Sequence, residues 1–196
     1  MSDMLLDPRR TPTDPRFARL LELGGDYKAE LVDDEVHVMS PSGRGHNRAS
    51  FAIARSLFDH ARRTGVGEAF GDSMTFLVDI PGRESFSPDA AYLTGPAAAP
   101  GDMSLDAVDA PPTFAVEVRS KNDYGPRRER KLTAKRADYF AAGTLVVWDV
   151  DLIGDDTIRV YRPDAPETPA VFRRGEVADA EPAVPGWRFP VDELFR

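Results

Sequence analysis

A mixed α/β domain, with one central sheet and helices packed on it, is the fold class the sequence predicts. Three observations predict it. Segments with helical and strand-like periodicity follow one another in the order helix, hairpin, helix, several strands, helix, strands. No Pro/Gly-rich linker divides the chain, so residues 16–196 read as a single domain behind a loose lead-in, 1–15, rich in Asp, Pro and Arg. The longest apolar run, TLVVW at 144–148, is far too short to span a bilayer.

The elements follow in chain order. RFARLLELG (16–24) predicts a short helix stopped by Gly24 and Gly25. ELVDDEVHVM (30–39) predicts two short strands around an Asp33-Asp34 turn, with His37 in a structural place on the second strand. After the turn SPSGRG, residues 46–63 predict an amphipathic helix with Phe51, Ala54, Leu57, Phe58 and Ala61 on its apolar face and His60 at the surface. MTFLVDI (74–80) and SFSPDAAYL (85–93) predict strands, and 94–112 a long loop with one short helical turn. TFAVEVRS is the next strand. A charged entry, NDYGPRRERKL, leads into a helix that ends at Ala142 before Gly143, with Leu132, Ala137 and Phe140 facing the core. TLVVWDVD predicts a buried strand with Trp148 in the core and Asp151 closing the following turn. DTIRVYRP (156–163) reads as its antiparallel neighbour, with a strand near AVFRR and a last turn at VDELF.

Composition narrows the function. With 196 residues, 41% hydrophobic and 30% charged, the chain matches a soluble globular protein. The absence of cysteine removes disulfides and thiolate metal sites and fits a cytoplasmic setting, as does an N-terminus without a signal-peptide core. A net charge of −8 argues against coating nucleic acid by bulk electrostatics and leaves room for a local basic patch.

One strand carries an unusual residue. In TFAVEVRS, Phe114, Val116 and Val118 share one face, and Ala115, Glu117 and Arg119 share the other. Taken alone, this is an edge strand with a solvated polar face. A second acid, Asp89, stands inside another apolar run directly after Pro88. The helix after Glu117 carries Lys131, Lys135 and Tyr139 on one face. Two strand acids and a helix lysine suit a divalent-metal site acting on phosphate, because Mg²⁺ takes one or two carboxylates plus water and phosphate oxygens.

Four stretches in order, YKAELVDDEVHVMSPSGRGH (27–46), SPDAAYL (87–93), FAVEVRSKND (114–123) and KRADYFAAGTLVVWDVD (135–151), resemble the Uma-two family of restriction endonuclease-like proteins, within the PD-(D/E)XK nuclease superfamily. The resemblance implies a restriction-endonuclease-like central mixed sheet flanked by helices, with extra strands at both ends. It implies that Asp89 and Glu117 are ligands of Mg²⁺ or Mn²⁺. Lys135 is the implied catalytic lysine, with Lys131 as the fallback, because the superfamily's usual lysine position holds Arg119. Arginine binds phosphate but cannot act as a base. Arg119 therefore reads either as a phosphate contact or as an ion-pair partner of Glu117. Glu30 reads as a third or outer ligand, and His46 and Arg44, at a helix start, as phosphate neighbours.

The reading that follows is a metal-dependent endonuclease acting on nucleic acid, DNA before RNA, with a homodimer as a possible assembly. Two alternatives stay open: a nuclease fold kept for binding with weak or no catalysis, and a phosphoesterase acting on small nucleotides.

Overall fold

The computed structural model describes residues 14–25 and 27–196, so residues 1–13 of the expected lead-in lie outside the described residues. Helix α1 (Pro15–Gly24) starts where expected: Asp14 caps it by accepting from the Arg16 N–H at 2.7 Å, and proline fills its first turn. The hairpin follows as β1 (Ala29–Val32) and β2 (Glu35–Val38). Asp33 and Asp34 both take positive φ, 51° and 60°, the conformation a two-residue hairpin turn demands. Helix α2 (Arg44–Thr64) ends at Gly65, which caps it at φ 70°.

Beyond it come β3 (Glu68–Phe70), β4 (Phe76–Ile80), β5 (Arg83–Phe86) and β6 (Ala90–Leu93). The span 85–93 is therefore not one strand. It breaks at Ser87-Pro88-Asp89, because proline offers no N–H to a ladder. The segment 94–112 holds turns and bends but no helical turn. Then come β7 (Phe114–Val118), α3 (Pro126–Ala142), β8 (Val146–Asp151), β9 (Thr157–Arg162) and β10 (Ala165–Arg173). The short pair β11 (Val177–Asp179) and β12 (Arg188–Pro190) and a 3₁₀ turn, Val191–Phe195, close the chain. Strands β3, β11 and β12 were not anticipated; at three residues each they are too short to show periodicity.

The break at 87–89 divides the expected single sheet. Strands β2-β1-β5-β4 form one sheet, β10-β9-β8-β7-β6-β3 a second, and β11-β12 a third. The six-stranded sheet is mixed: β7 and β8 run parallel, joined by the α3 crossover, and its other pairs are antiparallel. One face packs Phe114, Val116 and Trp148 against Ile53 and Leu57 of α2 and against Trp187 and Phe189. The other packs Ala115 and Val147 against Tyr139 of α3 and Phe76 and Phe86 of the four-stranded sheet. Glu117 thus projects toward α3 and the four-stranded sheet rather than into open solvent.

Side-chain placement on the helices departs from expectation. The core stripe of α2 is Ala49, Ile53, Leu57 and His60, while Phe51 and Phe58 are exposed. His60 is buried edge-on to Tyr92, and His37 is exposed. On α3, Ala137 faces solvent and Tyr139 takes the core position. Among the described residues, no helix is long and apolar enough to cross a membrane.

Asp151 closes the turn after β8, as its sequence position suggests. Its Oδ1 accepts from the N–H groups of Ile153 and Gly154 and from the Tyr124 hydroxyl. Burial opposes its charge, but these donors and Arg159 outweigh burial and hold the pKa down to about 2. A depressed carboxylate pKa adds stability above the unfolded value that is lost as pH falls through the folded one. Asp151→Asn should therefore cost on the order of 2 kcal/mol near neutral pH. The gap to the parent should narrow as pH falls from about 4 toward 2 in urea titrations.

Candidate active site

Asp89 and Glu117 meet because β6 and β7 are antiparallel neighbours. The last register pair is Ala90↔Val116; Asp89 precedes Ala90 and Glu117 follows Val116, which brings the two acids to the same end of the ladder. The Asp89 N–H donates to the Val116 carbonyl at 2.9 Å, and Asp89 Oδ2 accepts the Val118 N–H at 2.7 Å. The carboxylate is thus pinned to the neighbouring backbone at the end of the ladder. Helix α3 brings Lys135 over this end: its Nζ lies 2.8 Å from Glu117 Oε1 and 2.9 Å from Glu30 Oε1. Tyr139, one turn on, donates its hydroxyl to the same Glu117 oxygen at 2.7 Å and stacks on Phe86, ring centroids 4.0 Å apart. The Lys135 and Tyr139 contacts of Glu117 both fall on Oε1.

Glu30, from β1, ties the hairpin into the same cluster. Its Oε1 also accepts the Ser87 N–H at 2.8 Å, and its Oε2 accepts Arg83 Nη1 at 3.0 Å. His46, in the first turn of α2, places Nε2 3.1 Å from Asp89 Oδ2; its buried Nδ1 has no hydrogen-bond partner among the described residues.

Two of the predicted residues lie elsewhere. Lys131 is exposed on the first half of α3. Arg119 is buried on the same sheet face as Glu117 but does not pair with it. It grips Asp149 of β8, Nε to Oδ1 at 2.6 Å and Nη2 to Oδ2 at 2.7 Å, and its remaining donors go to Glu129 of α3. With its fork committed to two carboxylates, Arg119 joins β7, β8 and α3.

Sequence reasoning missed Lys28 and Arg83. Lys28 Nζ bridges Asp89 Oδ1 at 2.7 Å and Asp72 Oδ1 at 2.6 Å. Its signal was available, since Lys28 and Glu30 are two apart in an extended stretch and share a side. Arg83, held by Glu30 and by Asp138 of α3 at 2.8 Å, gave no local signal.

The electrostatics show where charge is unbalanced. For Asp89, burial opposes ionisation, but His46 and Lys28 win and hold the carboxyl well below the usual range. Glu30 is lowered too, by Lys135 and Arg83 against burial. Lys28 and Lys135 are both raised despite burial, by the carboxylates facing them, so both stay protonated. Glu117 goes the other way: burial first, then the Asp89 and Glu30 charges, push it up against Lys135 and Lys28. An added cation beside Glu117 would relieve that repulsion.

A hard divalent cation fits this donor set. Glu117 takes its Lys135 and Tyr139 contacts on Oε1 and feels the Asp89 charge, and Mg²⁺ or Mn²⁺ asks the protein for only one or two carboxylate ligands. Among the described residues, no group of three or more His, Cys, Asp or Glu side chains forms a ready-made cage, as a structural zinc would need.

Comparison with known proteins bears on the fold and the family. The architecture matches a crystal structure titled as a "putative nuclease belonging to DUF820" from Anabaena variabilis ATCC 29413, with a TM-score of 0.67 and 18% identity over 85% of this chain and 89% of that one. That likeness is one of fold. No curated protein matches. Residues 14–192 match the family Uma2, described as "Putative restriction endonuclease", and over that span the chain belongs to it.

Proposed function

We propose that the chain is a metal-dependent endonuclease that hydrolyses phosphodiester bonds of nucleic acid, DNA first, with Asp89 and Glu117 holding Mg²⁺ or Mn²⁺ and Lys135 as the catalytic lysine. Family membership and fold support a nuclease of the restriction-endonuclease type. The observation that carries the finer reading is the contact of Lys135 Nζ, at 2.8 Å, with a strand glutamate that stands at the same end of the β6–β7 ladder as Asp89. When bound, a divalent cation neutralises charge on a phosphoryl oxygen and lowers the pKa of a water.

The chain's own residues divide the remaining work. Asp89, kept ionised by Lys28 and His46, presents a fixed negative charge. Glu117 offers Oε2 on a rigid strand, positioned by Tyr139. Lys135 keeps its proton, so it serves as a donor that orients the attacking water or offsets phosphoryl charge, and it has no lone pair with which to take a proton. Arg44, exposed in the first turn of α2 beside His46, adds positive charge at a helix end that already favours anions. Cutting both strands of a duplex calls for two such sites, which makes a homodimer on DNA part of the proposal.

The test is incubation with supercoiled plasmid, single-stranded DNA and RNA in Mg²⁺ or Mn²⁺, with EDTA as control. Cleavage that needs the metal and disappears in Asp89→Asn is expected. A pure parent protein that cuts none of these polymers in either metal would sink the reading.

A further inference from the structure

The outer face of α2 has a composition that the site does not explain. Arg44, Arg48, Phe51, Arg55, Phe58 and Arg62 follow one another at spacings of four, three, four, three and four. At 3.6 residues per turn, these positions fall within about 80° of the helix circumference. The stripe is centred opposite the buried Ala49, Ile53, Leu57 and His60. All six residues are exposed, the two phenylalanines at 66% and 51%. Exposing two large aromatic rings on one helix face is costly unless something covers them. Four guanidinium groups on that face stand out on a chain of net charge −8.

The arginines are weakly committed. Arg48 donates to the backbone oxygen of Arg196, Arg55 stands 4.0 Å from Asp59 at the edge of the stripe, and Arg62 lies over the Phe58 ring at 5.9 Å. Beside the stripe, a groove of about 530 Å³ between α2 and β12 adds Arg63 and Arg188, with Asp59 and Glu193 also on its walls. Arg63 donates to the His60 Nδ1 at 2.9 Å and pairs with no carboxylate among the described residues. From Arg44 to Arg62 the helix rises about 27 Å. Its N-terminal turn holds His46 against Asp89 on the opposite side of the helix, so the stripe starts at the same end of α2 as the candidate active site.

We infer that this face is a track for single-stranded nucleic acid, with phosphates on the arginines and bases stacked on Phe51 and Phe58. Guanidinium groups are drawn to phosphate, and an aromatic ring accepts any base on its face, a combination that suits an unpaired strand. A duplex keeps its bases stacked inside and has no use for the phenylalanines. A second copy of the chain laid on the same face would bring arginine against arginine. The inference rests on the nuclease reading only for what lies at the end of the track.

Binding is measured on the full chain in EDTA, by fluorescence anisotropy of a labelled oligothymidylate. Circular dichroism and melting of each variant confirm the fold, which exposed residues should leave intact. Phe51→Ala with Phe58→Ala should weaken binding by about tenfold or more. Arg55→Ala with Arg62→Ala should weaken it and flatten the salt dependence by about 1.4 in log–log slope, two phosphate contacts' worth. Three results overturn the proposal: oligonucleotide affinity unchanged in both variants, duplex bound as tightly as single strand with no effect of the phenylalanines, or binding to phosphatidylserine vesicles and not to the oligonucleotide. Loss of binding in both variants of a protein that cleaves nothing would uphold the track and remove the nuclease. Metal-dependent cleavage and strand binding untouched in both variants would do the reverse.

Discussion

Glu117→Gln should abolish Mn²⁺ binding in calorimetry and reduce cleavage by more than the roughly hundredfold typical of losing an outer-shell partner. The same variant should melt at a higher temperature than the parent. Glutamine keeps the shape and can still accept the Tyr139 hydroxyl. It removes one of three carboxylates that repel each other in a buried place, while Lys135 keeps its bond to Glu30. A carboxyl whose folded pKa is raised contributes stability below its ordinary value, which is 4.5 for glutamate, and that contribution is lost as pH rises through the folded pKa. The advantage of Glu117→Gln should therefore grow as pH rises above that value. A variant that melts lower at pH 7 and still binds Mn²⁺ would show that Glu117 is an ordinary ion-pair partner. Stability gained as function is lost is the usual mark of a residue kept for chemistry.

Arg119→Ala should have the opposite profile. Among the described residues it leaves Asp149, which is buried, with Arg136 Nη1 at 3.7 Å as its ion-pair partner. Removing one partner of a buried pair costs about 3–5 kcal/mol, read in urea unfolding. Replacing both partners, Arg119→Met with Asp149→Leu, should recover part of the loss, because apolar groups of similar size do not strand a charge. Mn²⁺ affinity of the folded single variant should stay within error of the parent. Full stability with weakened nucleic-acid binding would instead make Arg119 a phosphate contact.

The sequence made some of this legible because the signals were local. Two aspartates in a row between strand-like runs specify a hairpin turn, and Gly143 stops α3 where its φ of 107° requires glycine. Asp89 and Glu117 stand out as acids inside apolar runs, and Lys131 and Lys135 as lysines on one face with Tyr139, while the choice of Lys135 comes from the family resemblance. What was illegible depended on long-range packing. Phe51 and Phe58 are the largest apolar residues of α2, and their size predicts an inward place. The helix instead turns Ala49 and Ser50 to the sheet, where small side chains allow close approach, and leaves Ile53 and Leu57 to fill the core. Lys28 and Arg83 lie 61 and 53 residues from the acids they neutralise, so no window of sequence contains both partners. Local pattern offers Arg119 either phosphate or Glu117, two places away, whereas its partner Asp149 comes from the next strand of the sheet.

The break between β5 and β6 has a consequence for how sequence length can vary. Three residues, Ser87 to Asp89, carry the chain from one sheet to the next, and both ends of that joint are tied down: Ser87 by Glu30, Asp89 by Val116 and Val118. A single inserted residue there would turn Asp89 to the opposite face of the ladder. After β6, the chain runs through an exposed stretch before Val108 bridges to Phe76 of β4, and exposed loop segments of that kind accept added residues at little cost. Insertions and deletions among related chains should therefore collect after Leu93, while the spacing between Arg83 and Leu93 holds as firmly as the acids themselves.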